Sequence, residues 1–135
     1  MGSPNVYEID NVARAISALD IDRWSLYQFW PLGERALINE ADFDVSESSF
    51  LEVAARAQAI APTTRIEVNA IRERSGAYFF VTPTGRAYVQ DDREPERYWE
   101  LGNVLHDDAV WSAWQRFVDL DLNQQRFARR RKNAP

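Results

Sequence analysis

The chain has no cysteine among its 135 residues. Without cysteine sulfur there is no disulfide, no thiolate nucleophile and no iron–sulfur cluster held by the chain itself. Histidine is almost as scarce, with His106 the single example. One imidazole, no thiol and no serine in a nucleophile-elbow pattern leave no material for a Ser-His-Asp or Cys-His site. No stretch comes near the roughly 18 apolar residues that a membrane-spanning helix needs, and no signal-peptide pattern opens the sequence. The expectation is therefore a cytoplasmic, soluble protein. Positive charge is in deficit, 16 Lys and Arg against 21 Asp and Glu, for a net charge of −5. That sign disfavours nucleic acid and anionic membranes as partners, because phosphate surfaces demand a cationic face. Residues 126–132, with four Arg and one Lys, are a local exception. They read as a solvated basic tail rather than a phosphate-binding arm.

Aromatic side chains are abundant, at 13% with five Trp and seven Phe. A chain of this length makes one domain and buries roughly two-thirds of its unfolded surface, so aromatics will dominate its core or an interface. Residues 1–10 read as a flexible start, 11–120 as one α/β domain, and 121–135 as a polar, basic helix or tail.

Along the chain, Val12, Ile16 and Leu19 fall on one face of a short helix that Asp10 or Asn11 can cap. The stretch RWSLYQFWPLG follows at 23–33, a strand with Trp24, Leu26 and Gln28 on one side and Ser25, Tyr27 and Phe29 on the other. It reads as buried on both faces, the situation of a strand inside a parallel sheet. Pro31 and Gly33 end it. Ser46 is placed to cap a helix from Glu47 to about Ala61, with Phe50, Val53, Ala54, Ala57 and Ile60 as its apolar stripe and Pro62 as its stop. Two β-type runs at 65–71 and 77–81, joined by polar residues 72–76, and a third at 86–89 after the turn Pro83-Thr84-Gly85, read as a small antiparallel unit. Val110, Trp111, Trp114, Phe117 and Val118 share a face of a helix spanning about 107–119, and a polar helix continues from Leu122 to Arg131.

Few groups offer chemistry. His106-Asp107-Asp108 reads as a helix-capping cluster, because consecutive helical residues point in different directions and make a poor metal site. Glu40, Asp42 and Asp44 lack the glycine and terminal glutamate of a calcium loop and read as solvated charge. The segment 69–76 is richer, with Asn69, Arg72, Arg74, Ser75 and Gly76 together. Guanidinium forks and a glycine suit an anion, and a polar hairpin connection accounts for them equally well.

The order of these features resembles the C-terminal part of radical S-adenosylmethionine enzymes, most nearly the viperin-like branch. The residues that carry the likeness are Ile21 to Gly33, similar to the last barrel strand; Val45-Ser46 with Phe50, similar to the following helix start; Glu67 to Asn69; Ser75 to Tyr78; the turn Pro83 to Gly85; and Leu101-Gly102-Asn103-Val104 before a closing helix. The likeness runs from about residue 11 to 118.

The resemblance implies a C-terminal βα unit of a partial barrel, a small antiparallel β extension and closing helices, an α/β or α+β fold. It places Arg23, Asn69 and Tyr78 at substrate-facing positions and sets Gln28 or Tyr27 near the cavity, with Arg72 and Arg74 as further substrate-binding candidates from the 69–76 segment. Ser25 departs from the lysine of branch members that act on nucleoside triphosphates, which counts against a triphosphate substrate and leaves peptide or other small-molecule substrates open, with a small molecule, nucleotide or peptide as the partner classes. With no cysteine, the chain binds no cofactor alone. A [4Fe–4S] cluster and S-adenosylmethionine would belong to a barrel segment or partner chain, and an unpaired strand at 24–30 would favour association with it or with a second copy. The alternative is a self-sufficient α+β binding or interaction module without enzymatic activity.

Overall fold

A computed structural model describes residues 1–32, 34–91 and 97–131. Gly33, expected to help end the first strand, and the last part of the basic tail, from residue 132, lie outside the described residues. The fold is mixed α and β, with a two-stranded parallel sheet and a three-stranded antiparallel sheet. No barrel closes among the described residues. The chain divides into two compact units, Met1–Arg72 and Glu73–Pro135.

In the first unit, α1 (Ile9–Ala18) leads into β1 (Arg23–Tyr27), then α2 (Glu34–Ile38), α3 (Glu40–Phe43), α4 (Glu47–Ile60) and β2 (Arg65–Asn69). Ser46 caps α4 as its position predicts, its hydroxyl accepting from the Ser49 amide at 3.2 Å. Phe50, Val53, Ala54 and Ala57 are buried along α4. The alanines let α1 approach closely, and this sets which face of α1 turns inward. Ile9 and Ala13 are buried, while Val12 and Leu19 stay exposed, so the expected Val12–Leu19 stripe is displaced toward the N-terminus.

The run at 65–69 does not join the antiparallel unit. It pairs parallel to β1, with Arg23 opposite Arg65 and Tyr27 opposite Asn69. The intervening α4 carries the chain back across the sheet, and parallel neighbours require such a crossover. Trp24, Leu26, Ile66 and Val68 pack with the buried residues of α1 and α4. Among the described residues the other face has no such cover: Arg23 and Tyr27 are exposed and Ser25 is half-buried. The expectation of a strand buried on both faces is thus corrected. Past the strand end, Phe29 packs on Phe43 with ring centroids 5.6 Å apart. The first residues make contacts within the first unit, although Tyr7 is exposed. Gly2 is buried, the Ser3 hydroxyl donates to the Asp42 carbonyl at 2.6 Å, and the Met1 amino group donates to the Tyr27 carbonyl.

The second unit contains β3 (Phe80–Val81), β4 (Arg86–Gln90), β5 (Tyr98–Asn103), α5 (Ala109–Trp114) and α6 (Leu120–Arg131). The strands form one antiparallel sheet in sequence order. The Thr82–Gly85 turn closes by the Gly85 amide donating to the Thr82 carbonyl at 2.9 Å, with Gly85 at φ 84°. A side chain at Gly85 would meet the Asn103 Oδ1 at 2.6 Å. Ala87, Val89, Leu101 and Val110 form the buried core. The helix expected over 107–119 ends at Trp114, and Asp119 caps the start of α6 instead. That residue's carboxylate accepts from the Leu122 amide at 2.9 Å, and its own amide donates to the Gly76 carbonyl at 2.9 Å. Trp111 and Phe117 are exposed and do not share a buried face with Val110. Among the described residues no helix is long and apolar enough to cross a membrane.

Candidate functional site

Alternation along two parallel strands in register sorts side chains into two sets. Trp24, Leu26, Ile66 and Val68 go to the core, so Arg23, Ser25 and Tyr27 of β1 share the opposite face with Arg65 and Glu67 of β2. This open face gathers a polar constellation from both strands. Glu67 is its centre. One carboxylate oxygen, Oε1, accepts from Arg65 Nη2 at 3.1 Å and lies 3.7 Å from Arg23 Nη1. The other, Oε2, accepts from the Ser25 hydroxyl at 3.1 Å. The Glu67 side chain is 23% exposed, and those of Arg23 and Arg65 are 53% and 45% exposed. The two guanidinium groups, each about half exposed, thus lean over a half-sheltered carboxylate.

Of the residues singled out from the sequence, Arg23 lies on this face and the others are engaged elsewhere. Gln28 turns to the core side, its amide nitrogen donating to the Val45 carbonyl at 2.8 Å and its oxygen accepting from the Ile71 amide at 3.0 Å. Asn69 is buried at the end of β2 and donates to the carbonyls of Leu26 and Glu67 at 3.2 and 3.1 Å. Arg72 pairs with Glu47 at 2.7 Å. Arg74 and Tyr78 belong to the second unit, and the 69–76 segment is not a hairpin connection, because β2 pairs with β1 and β3 with β4. The Arg74 carbonyl closes a turn by accepting from the Ala77 amide at 3.1 Å. The Tyr78 hydroxyl accepts from Arg126 Nε at 2.8 Å, and the guanidinium lies 5.2 Å from the ring centre.

Sequence reasoning missed Arg65, and it took Glu67 only as part of a motif. The signal was the repeated spacing Arg23-x-Ser25 and Arg65-x-Glu67. Each pair sits on one face of its strand, and only the parallel register brings the two pairs together.

His106 is exposed, and next to it the Asp107 carboxylate accepts from the Ala109 amide at 2.8 Å, at the start of α5, in keeping with a capping cluster. Among the described residues no group of three or more His, Asp or Glu side chains is placed to hold a metal ion. The cluster that the resemblance implies does not fit this chain, which offers no thiolate to ligate it. No protein-family model matches the chain, and a search of curated proteins and of solved structures finds no match.

Proposed function

We propose that this chain is the substrate-facing C-terminal part of a radical S-adenosylmethionine enzyme, working in the cytoplasm with a segment or partner chain that supplies the remaining barrel strands, the [4Fe–4S] cluster and S-adenosylmethionine. The observation that carries this reading is the β1–α4–β2 arrangement: a parallel pair, apolar against its helices and polar on its open face. Parallel sheets normally have both faces covered and more strands, and two strands alone are marginal in water. A barrel places helices outside and a polar, ligand-lined cavity inside, and the two faces of this sheet divide in that way. Arg23, assigned to the substrate side by the resemblance, lies on the polar face.

A second reading, a self-sufficient interaction module, is favoured by the internal engagement of Gln28, Asn69, Arg72 and Tyr78. One experiment separates the two. Adding this chain to a candidate barrel protein with a CxxxCxxC motif should restore reductive cleavage of S-adenosylmethionine to 5′-deoxyadenosine in the presence of substrate. A chain that remains a sharp monomer, binds no such protein and restores no cleavage belongs to the module reading.

A further inference from the structure

We infer that the open face of the β1–β2 sheet binds its ligand through a single carboxylate rather than a polyphosphate, with the Glu67 carboxylate occupying the place that the ligand's carboxylate takes. The inference rests on the reading of this face as the substrate-facing wall and names the substrate class.

Two hydrogen-bond donors, one from each strand, and a second guanidinium converge on one carboxylate. Arg65 Nη2 and Ser25 Oγ each approach Glu67 at 3.1 Å, on different oxygens, and Arg23 Nη1 stands at 3.7 Å from the oxygen that Arg65 uses. Guanidinium forks and a hydroxyl at such distances make a carboxylate receptor, and here it holds a carboxylate of its own. Each arginine uses one terminal nitrogen on Glu67 and has further N–H donors in its fork. The Arg23 contact is long, so Arg23 is the group from which Glu67 is most readily displaced.

The charge balance sets the ligand's class. Two guanidinium groups and one carboxylate leave the face at +1, and Ser25 adds a hydroxyl but no charge. One negative charge matches that balance. A polyphosphate carrying several charges would be left mostly uncompensated, on a chain whose net charge is already −5. Exposed ion pairs are individually weak, so a ligand carboxylate can compete with Glu67.

The test uses the full chain with isotope-labelled arginine and follows the Arg23 and Arg65 Nε–H signals by NMR at constant ionic strength. Acetate and N-acetylglycine should shift both signals saturably, N-acetylglycinamide should not, and pyrophosphate should bind no more tightly than acetate. Glu67→Gln should tighten acetate binding about two- to five-fold, the range set by loss of one competing exposed pair. Ser25→Lys should turn the preference toward pyrophosphate. Arg65→Gln, which leaves Glu67 in place, should weaken the acetate response of Arg23. Shifts that track ionic strength alone, pyrophosphate binding tenfold tighter than acetate, or acetate affinity unchanged in folded Glu67→Gln would each overturn the inference. The barrel is not needed for this measurement. Carboxylate binding without restored S-adenosylmethionine cleavage would retain the site and remove the proposed parent enzyme, and the converse result would remove only the substrate class.

Discussion

Gln28 holds Ile71 in place through its side-chain oxygen, 3.0 Å from the Ile71 amide, while its amide nitrogen reaches the Val45 carbonyl at 2.8 Å. One buried side chain thereby ties the exit of β1 to the approach to α4 and to the segment after β2. Gln28→Leu keeps the volume and leaves two backbone groups without partners, at about 1–3 kcal/mol each. The expected loss is about 2–6 kcal/mol, read as a lower urea midpoint with an unchanged slope. A loss below about 0.5 kcal/mol would mean that water replaces both bonds, as at an exposed site.

Asp20 follows α1 at φ 51°, the described non-glycine residue with a left-handed backbone. Helices commonly end through such a residue, usually glycine, because a Cβ crowds the following carbonyl. Asp20→Gly should raise stability by about 0.5–1 kcal/mol, and Asp20→Val should lower it by at least about 1 kcal/mol. Paired thermal melts check the opposite signs, and a destabilising glycine would remove the conformational explanation.

The parts of the fold that were legible in advance depend on neighbours a few residues apart. The Ser46 cap, the alanine-lined stripe of α4 and the Thr82–Gly85 turn were readable because each is local. The partner of β2 was not. Alternation marks 65–69 as a strand but carries no record of whether it pairs backward with β1 or forward with β3. The inward face of α1 was ambiguous for a related reason. Val12-Ile16-Leu19 and Ile9-Ala13-Ile16 both have helical spacing, and the small Ala13 turns inward where α4 also presents alanines. At the candidate site, Arg23 was accessible from resemblance and strand phase. Arg65 and Glu67 could join it only through the parallel register. Gln28 had a clue of its own, since it shares strand phase with Trp24 and Leu26, both core-packed.

In the second unit, Arg126 anchors α6 onto the segment preceding β3. Its side chain is 9% exposed; Nε donates to the Tyr78 hydroxyl and Nη1 to the Glu73 carbonyl, both at 2.8 Å. Asn123 adds a bond to the Ala77 carbonyl at 2.8 Å. These bonds tie α6, whose sequence is mostly polar, to that segment. Arg126→Met keeps the stem and removes the donors, and should cost about 2–3 kcal/mol of local stability. Tyr78→Phe, which removes one acceptor, should cost about 1 kcal/mol. Hydrogen exchange resolves the effect: α6 amides should lose protection in Arg126→Met while those of α4 do not.

The antiparallel sheet carries a pH-dependent pair. Arg86 Nη2 donates to Glu100 Oε2 at 2.6 Å and Arg86 Nε to Glu100 Oε1 at 3.1 Å, a two-pronged contact across β4 and β5. This hydrogen bonding, reinforced by the guanidinium charge, holds the Glu100 carboxyl below the ordinary carboxylate range. A depressed folded-state value means that the pair adds stability above the pH at which an unfolded glutamate titrates. That contribution is lost as pH falls through the lowered folded value. Glu100→Gln should therefore be less stable than the parent chain at pH 7 and should match it once the medium is acidic enough to protonate Glu100 in both states. The pair is open to solvent, so added salt should narrow the gap at pH 7. Urea unfolding of both chains at neutral and acidic pH, with and without salt, makes the comparison. A gap that persisted undiminished in acid would show that the glutamine disturbs sheet packing rather than removing a charge.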